Sequence, residues 1–407
     1  MGFEFEDADD TPFYGYAPYC ISCKLGNVTN AVPVMKGKGS ILVVLGRPTI
    51  EEHKRKSMHK KACDFVNEID DVKLSDFSFM YALQCPSADE KKIPKCVPYF
   101  IQTVKEINPV CIILVGELAV KTYMFAFYGE MSAQAYDWHI PDRLLNCWVC
   151  PVITPLNNSA EGQLLFRNQV NQAVVHDERP YPDEIPDYKA GIRLLYESDE
   201  IVGILDRVAA IPSDSELAVA FDYEANCLLP EHPKAQILSC SLCIGKMGTP
   251  IEKKKTYAFQ WITGERGKET REAWKRFLKS PCKKIAQNLK FEDRWGKVLL
   301  KTATRNWMLD TMVAAHLVNS KVGITGLKEQ AFFNFGVYGY ETEFQKYLKT
   351  DKEGLNQVAQ MPIEKLLIYN AADSLLEHSL ACIQLEQANL DFHWKTKFNE
   401  EILKGMF

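Results

Sequence analysis

Two carboxylates stand two residues apart at the end of an apolar run, in the stretch ELAVAFDYEAN at residues 216–226. Side chains two apart in a β-strand point to the same face, so a strand here projects Asp222 and Glu224 together. Two like charges this close repel each other unless protons or cations lie between them. Hard divalent cations prefer oxygen ligands. The stretch therefore predicts a divalent metal site, for which other segments must supply further ligands.

Further acidic residues occur in two later segments. Tyr369 and Asp373 are four residues apart in a helix-like segment, which puts both side chains on one helical face. Glu292 and Asp293 lie at the predicted start of another helix. Acids from a strand, a helix start and a late helix suit two divalent ions, which clamp the attacking and leaving oxygens of a phosphodiester. Taken singly, each motif also fits surface acids at the ends of elements.

The composition is that of an ordinary soluble globular protein, with 407 residues of which 46% are hydrophobic and 25% charged. This length predicts two domains, or at most three. The net charge of −5 argues against wholesale coating of nucleic acid, but it leaves room for basic patches such as residues 53–61 and 283–290. The N-terminus lacks the apolar core of a signal peptide, and no apolar run reaches the length of a membrane span. We therefore expect a cytoplasmic protein with no membrane partner, whose thiols stay reduced.

The elements that must position these acids fall into two groups. Four short apolar runs, separated in part by helix-like segments, come first: 41–46, 77–83, 110–116 and 147–154. They predict a parallel sheet covered by helices. The Pro- and acid-rich stretch VVHDERPYPDEIPDYKAG indicates a linker, and three strands followed by helices come after it. We predict an α/β protein with a first domain at 1–175, a linker at 176–191 and a mixed-sheet domain at 192–407.

The cysteines require an explanation other than disulfides, because the expected compartment is reducing. The C-x-x-C pairs at 147–150 and 240–243 lie in strand-like runs, where such positions point to opposite faces, so buried core thiols explain them. Four cysteines in loops or at the ends of elements can hold zinc or an iron–sulfur cluster, or stay unliganded. These four are Cys20, Cys23, Cys85 and Cys96.

The order of the acidic motifs resembles the 3′–5′ proofreading exonucleases of the DEDD superfamily, in the branch with a catalytic tyrosine. The three motifs of that family have counterparts in FDYEAN at 221–226, QNLKFEDRW at 287–295 and YNAAD at 369–373. The resemblance implies a ribonuclease H-like domain that hydrolyses phosphodiesters with two Mg²⁺ or Mn²⁺ ions. It implies that Asp222, Glu224, Glu292 and Asp373 hold these ions and that Tyr369 positions the attacking water.

The resemblance covers about residues 195–390 and implies a DNA substrate. The protein would release nucleoside monophosphates from the 3′ end of a single strand, with Asn288 contacting the terminal nucleotide. One position departs from the family, since its second-motif Asp aligns with Glu292 and an Asp follows at Asp293. We take Glu292 as the metal ligand and Asp293 as the alternative.

The first half of the chain resembles the iron–sulfur class of uracil-DNA glycosylases over about residues 15–175. The similarity lies in C-x-x-C-x-L, a strand ending in C-P, C-x-P-Y-F and PVCIILVGELA. It implies a glycosylase-like parallel sheet flanked by helices. It also implies a [4Fe–4S] cluster, in preference to zinc, held by Cys20, Cys23, Cys85 and Cys96.

The catalytic parts of that glycosylase family are altered here. Its Gly-Glu-Ala-Pro-Gly loop is LGRPTIEE at 45–52, and Asn157 stands where the family has a His. Without those groups, water activation and binding of a flipped uracil are hard to arrange. We therefore predict a catalytically inactive domain, kept for structure or for holding DNA, in which Lys54, Arg55 and Lys56 bind phosphates.

A glycosylase-like domain followed by such an exonuclease resembles the N-terminal region of bacteriophage family-A DNA polymerases, which implies the host cytoplasm as location. The chain ends at EEILKGMF, so we expect either a piece of a polymerase or a subunit that meets its polymerase in trans. Three hypotheses follow. The protein is a 3′–5′ DNA exonuclease, a non-catalytic module that binds DNA or a polymerase, or a uracil-DNA glycosylase.

Overall fold

The chain divides into two compact units, Met1–Ile185 and Pro186–Phe407. Both are α/β, and each contains one mixed sheet flanked by helices. The computed structural model describes residues 32–86, 90–130, 138–154, 159–319 and 323–388. Within these ranges no helix combines the length and the apolarity needed to cross a membrane.

The sheet of the first unit has the strand order β2-β1-β3-β5-β4. Its strands are β1 (Ile41–Leu45), β2 (Phe77–Tyr81), β3 (Cys111–Val115), β4 (Ile140–Asp142) and β5 (Cys147–Val152). All neighbours pair in parallel except β4 and β5, which are antiparallel. The four predicted apolar runs are therefore confirmed as strands. The sheet is mixed rather than wholly parallel, because the edge strand β4 is antiparallel to β5. The sequence did not predict β4, since this strand has only three residues and no extended apolar run.

The described part of the first unit contains five α-helices, in line with the predicted helix-covered sheet. They are α1 (Ile50–Arg55), α2 (His59–Val66), α3 (Ile93–Ile107), α4 (Glu117–Tyr128) and α5 (Ala160–Ala173). Phe65 of α2 packs edge-on against Phe77 and Phe79 of the sheet and against Phe166 of α5, which fills the core on that face. This aromatic cluster fixes both helices against the strands.

The start of the predicted linker packs against the first unit. His176 stacks on the indole of Trp148 in β5, with ring centroids 4.2 Å apart. Arg179 donates from Nη1 to the backbone oxygen of Asn146 at 2.7 Å, and the Asn146 amide donates to the Tyr181 carbonyl at 3.1 Å. Polar sequence alone predicted a linker here, and these backbone contacts hold its first part in place.

The sheet of the second unit has the strand order β11-β10-β7-β8-β9-β6. Its strands are β6 (Ile192–Leu195), β7 (Leu217–Ala225), β8 (Ile237–Lys246), β9 (Lys255–Gln260), β10 (Lys283–Ala286) and β11 (Trp307–Asp310). The strands β7, β8 and β9 form an antiparallel meander, whereas β10 and β11 run parallel to β7. The predicted meander and the mixed sheet are confirmed.

Helices cover both faces of this second sheet. They are α6 (Ser198–Ala209), α7 (Lys268–Lys279), α8 (Leu289–Leu299), α9 (Thr311–Val318), α10 (Leu327–Phe335), α11 (Thr342–Gln345) and α12 (Ile363–Gln387). On one face Phe221 and Tyr223 of β7 pack against Trp274 and Phe277 of α7. On the other face α12 crosses β7, and it is buried along most of its length. The strand thus alternates between an aromatic core and the face that carries Asp222 and Glu224.

Asp310, at the end of β11, fixes the start of two helices. Its carboxylate accepts from the backbone N–H of Asn288 at 3.0 Å and of Leu289 at 2.9 Å, where α8 begins. The same carboxylate accepts from Met312 at 3.0 Å and Val313 at 3.3 Å in α9. Asn288 has φ of 63°, a left-handed conformation that Asn tolerates better than most residues. This one side chain therefore sets where α8 starts.

Replacing Asp310 by Ala should lower the free energy of unfolding of the second unit by about 2–4 kcal/mol, because four N–H groups lose a charged acceptor. Asp310→Asn should cost less, since its amide oxygen still accepts. Denaturant titration of the whole chain, followed by tryptophan fluorescence, measures both. A loss below about 1 kcal/mol in the Ala variant would contradict this role.

Candidate functional site

Three of the predicted acids meet in one cleft of the second unit. Asp222 and Glu224 come from β7 and Asp373 from α12, and their carboxylate oxygens lie within 4.8 Å of one another. The cleft has a volume of about 370 Å³, and the predicted residues Asn288 and Glu292 line it as well. Strand alternation explains the first pair and helical spacing the third. The sequence-predicted residues of three separate motifs therefore share one site.

The neighbours Glu292 and Asp293 face different surroundings. Glu292 lines the cleft and is only 2% exposed. Asp293 accepts from the backbone N–H of Thr304 at 3.0 Å and pairs with Lys297 at 2.5 Å, and it is not among the cleft-lining residues. The carboxylate of Asp293 is thus engaged on another side of α8. We therefore retain Glu292 and remove Asp293 from the proposed ligand set.

Asn370 joins Asp222 to the sheet behind it. The Asn370 amide donates to Asp222 Oδ2 at 2.6 Å. Ser239 donates to the side-chain oxygen of Asn370 at 3.0 Å, and Ser241 to its backbone oxygen at 2.8 Å. Both serines lie on β8, where Ser241 pairs with Asp222 and Ser239 with Glu224. This network aligns α12 with β7, so the carboxylates are held in register.

Two phenols lie beside Asp373. Tyr340 donates to Asp373 Oδ1 at 2.5 Å, and Tyr369 also hydrogen-bonds to this carboxylate. The ring of Tyr369 stacks on Phe344 with centroids 3.8 Å apart and lies parallel to Tyr340 at 5.8 Å. Burial, and then the charge of Asp373, raise the pKa of Tyr369 well above its usual value, so the phenol keeps its proton.

The four proposed metal ligands, Asp222, Glu224, Glu292 and Asp373, all have raised pKa values. Burial is the main cause for each, and repulsion between them adds to it for Asp222, Glu224 and Glu292. For Asp373 burial raises the pKa to about 6, although hydrogen bonds from Tyr340 and Tyr369 oppose the rise. A buried group of negative charges is therefore costly to ionise without a cation.

Three charged residues that the sequence interpretation missed also line the cleft, namely Glu377, Lys328 and Glu329. Glu377 is 1% exposed, and its pKa is raised by burial and by the charges of Asp222, Glu292 and Asp373. Its position one turn after Asp373 on α12 is a signal that the sequence offered. Lys328 of α10 lowers the pKa of Glu224 and of Asp373 by its positive charge. Only the tertiary fold brings Lys328 here.

The donor set fits hard divalent cations. It consists of carboxylate oxygens, which Mg²⁺ and Mn²⁺ prefer. Oε2 of Glu292 and Oε2 of Glu377 are buried and have no hydrogen-bond partner in the described part of the chain. Buried polar atoms seldom stay unpaired in native proteins, and a bound ion is one explanation for them. The proposed ligands would be Asp222, Glu224, Glu292 and Asp373.

The predicted site residues of the first unit are not assembled in the same way. Lys54 and Arg55 lie on α1 and Lys56 follows it, all three exposed, and Arg55 pairs with Glu51. Cys85 and Cys96 are partly buried around Leu83 and Ile93. The remaining predicted residues Cys20, Cys23 and Asn157 lie outside the described residues.

No protein-family model matches this chain, and no curated protein matches it. Among solved structures, Escherichia coli RNase D, an exoribonuclease, is 15% identical over 53% of this chain and 49% of its own, with a TM-score of 0.37. Brucella melitensis NrnC with bound Mg²⁺ is 17% identical over 53% of this chain and 87% of its own, with a TM-score of 0.34. The POL domain of Pol1 from M. smegmatis with primer-template DNA is 14% identical over 48% and 28%, with a TM-score of 0.30. At these TM-scores the likeness supports no conclusion about activity, which must come from the residues of the cleft.

The raised pKa values predict how stability depends on pH without metal. A folded acid with a raised pKa holds its proton more tightly than in the unfolded chain, so its contribution to stability falls as pH rises. Asp222→Asn removes one such acid. In EDTA the free energy of unfolding of Asp222→Asn, relative to that of the unchanged protein, should rise by about 1 kcal/mol or more between pH 5 and pH 7.5.

Thermal melting of both proteins at each pH measures this difference. The buried His378 has a lowered pKa and so changes stability with pH in the opposite direction, but it is present in both proteins and its effect cancels. Saturating Mn²⁺ at pH 7.5 should remove the advantage, because the unchanged protein then binds the ion. Asp206→Asn changes an exposed carboxylate paired with Arg276 and is the matched control. Its stability relative to the unchanged protein should not rise between pH 5 and pH 7.5. If the difference in stability between Asp222→Asn and the unchanged protein were equal at both pH values, this would contradict a raised pKa of Asp222.

Proposed function

We propose that the second unit is a metal-dependent 3′–5′ exonuclease that releases nucleoside monophosphates from the 3′ end of a DNA strand. The observation that carries the proposal is that Asp222, Glu292 and Asp373 line one cleft beside Tyr369, with a Glu224 carboxylate oxygen within 4.8 Å of those of Asp222 and Asp373. Surface acids at the ends of elements would be solvated and separate. These acids are instead close together, with Glu292 and Asp373 buried and Asp222 and Glu224 partly buried.

The chain's own residues prepare the site for the phosphodiester. Asp222 is oriented by Asn370 and Asp373 by Tyr340, so two of the proposed ligands are fixed before any ion binds. When bound, two divalent cations supply the charge that stabilises the attacking and leaving oxygens. The protein contributes the position and the protonation state of the surrounding groups.

Tyr369 is placed to orient the attacking water. Its hydroxyl is hydrogen-bonded to Asp373, and stacking on Phe344 restricts its ring. Since its pKa is raised, the phenol stays neutral and can donate or accept a hydrogen bond near neutral pH. Tyr369 thus positions a water and does not act as a strong base.

The strand end would be held by the polar side of the cleft. Asn288 lies at its rim through the left-handed turn that starts α8, and Lys328 offers a positive charge for a phosphate. A volume of about 370 Å³ is at the small end of ligand sites, which are roughly 300–1,000 Å³. This size is compatible with one terminal nucleotide. The choice of DNA over RNA rests on the family resemblance alone.

The first unit is proposed as a glycosylase-like domain without glycosylase activity. Its mixed sheet is flanked by helices, and Lys54, Arg55 and Lys56 are exposed where they can contact phosphates. Association with a DNA polymerase, in the same chain or in trans, would explain why such a unit accompanies a nuclease. Extension of a primer by an added polymerase, with and without this protein, tests that association.

The nuclease proposal predicts a contrast between two adjacent residues. Glu292→Gln should lower the release of mononucleotides from a 3′-labelled single strand at least about 100-fold in Mn²⁺, because loss of a ligand costs several kcal/mol. Asp293→Asn, whose carboxylate is engaged outside the cleft, should retain activity within about tenfold. Binding of the strand in the presence of Ca²⁺ should persist in both variants.

Two outcomes would overturn this assignment. No release of mononucleotides by the unchanged protein from either DNA or RNA would favour the non-catalytic module. Activity lost in Asp293→Asn but kept in Glu292→Gln would exchange their roles. Release of uracil from a single strand would instead revive the glycosylase hypothesis.

The first unit is also proposed to hold a [4Fe–4S] cluster on Cys20, Cys23, Cys85 and Cys96. Two of these thiols, Cys85 and Cys96, lie in one small apolar cluster, which is compatible with this ligand set. Anaerobically purified protein should contain about four iron and four sulfide per chain, and Cys85→Ser should lose most of both. Cys243→Ser, at a fully buried thiol in the second unit, is the control. Colourless protein with zinc bound at these cysteines would contradict the cluster.

A further inference from the structure

Three metal-ligating side chains meet in the first unit, away from every residue assigned above. His139 directly precedes β4, Cys150 lies in β5, and His176 follows α5. One ring nitrogen of each histidine and the sulfur of Cys150 lie within 4.8 Å of one another. Nε2 of His176 and Nδ1 of His139 are 2.8 Å apart. Three distant segments thus bring two imidazoles and a thiol to one point.

We propose that His139, Cys150 and His176 form a zinc site. Imidazole nitrogen and thiolate sulfur are the ligands that Zn²⁺ takes in proteins, at about 2.0–2.1 Å and 2.3 Å respectively. Around a tetrahedral ion such ligand atoms lie about 3.3–3.6 Å from one another. The observed separations, from 2.8 Å to at most 4.8 Å, need shifts of at most about 1.2 Å.

The surroundings of the three residues support a metal site. The Trp148 indole stacks on His176 at 15° to its ring plane, and Trp148 Nε1 donates to the carbonyl of Glu178 at 3.1 Å. These contacts fix the orientation of the imidazole, as outer contacts do for metal-binding histidines.

A second thiol lies behind Cys150. Cys111 Sγ is 3.9 Å from Cys150 Sγ and 3.6 Å from the carbonyl oxygen of Ala173. The Cys111 thiol donates to that carbonyl, which holds its sulfur at the end of α5 beside Cys150.

Three protein ligands leave a fourth position for water. A cavity of about 470 Å³ borders His139 and is lined by Asn168, Asn171 and Gln172 of α5. Both histidines are partly exposed at this side. An ion here would connect β5 to the residues before β4 and after α5, so we expect it to stabilise the first unit.

Zinc content of the untagged full chain tests the proposal. All variants are made in an Asp222→Ala background, so that the acidic site does not contribute bound zinc. Iron is measured in parallel to account for the four cysteines proposed to hold the [4Fe–4S] cluster. After dialysis against buffered Zn²⁺, the His139→Gln, His176→Gln and Cys150→Ser variants should each lose about one zinc per chain. Cys147→Ser, at a buried thiol three residues away on the opposite face of β5, should keep it.

Cobalt gives an independent readout. Co²⁺ should produce visible bands of a tetrahedral ion and a thiolate-to-cobalt band that disappear in Cys150→Ser and persist in Cys147→Ser. Zinc should raise the melting temperature of the unchanged protein and not that of His176→Gln. Equal zinc content in all variants, or none in the unchanged protein, would overturn the site and leave a His–His hydrogen bond beside a buried thiol. If Cys150→Ser does not fold, the zinc content of the His139→Gln and His176→Gln variants decides the result, since both histidines are partly exposed.

Discussion

Repulsion among carboxylates that share a water-poor cleft is the constraint on which the second unit depends. Burial is the largest cause of the raised pKa values of Asp222, Glu224, Glu292 and Glu377, and the charges of neighbouring carboxylates add to it. A fold that tolerates such a group needs rigid elements to hold it and donors to offset part of the charge. The central strand β7 and the buried helix α12 provide the first, and neighbouring side chains provide the second. The remaining charge is what a divalent cation would neutralise.

The approach of α12 to the sheet explains several residues that have no chemistry of their own. Ala218 and Ala220 of β7 leave space beneath the helix, and both are fully buried. Ser239 and Ser241 of β8 present hydroxyls to Asn370, which passes the contact on to Asp222. Larger side chains on β7 would lift the helix and separate the acids of the two elements. Packing and the geometry of the site are thus set by the same contacts.

The sequence predicted the elements better than the surroundings of the charged residues. Short apolar runs predicted the main strands, and strand alternation and helical spacing predicted the acidic motifs and α12, because these signals are local. Two lysines are instead buried: Lys284, in the predicted basic patch 283–290, donates to three backbone carbonyls, and Lys254 lies 2.9 Å from Nδ1 of His378. Tyr340 and Lys328 also reach the cleft only through tertiary contacts. Local sequence patterns predict secondary structure, but they do not predict which distant residue will hydrogen-bond to a charged side chain or pair with it.

Ligand chemistry separates the metal sites proposed for the two units. The second unit offers carboxylate oxygens, which select Mg²⁺ or Mn²⁺, whereas the first offers thiols and imidazoles, which select zinc or iron–sulfur clusters. The expectation that a C-x-x-C pair in a strand cannot chelate one ion still holds, since Cys147 and Cys150 point to opposite faces. That geometry does not exclude Cys150 from a site completed by other segments, and His139 and His176 supply the missing ligands. Spacing within one motif therefore excludes a shared centre for its two cysteines, and only the fold shows that one of them has partners elsewhere.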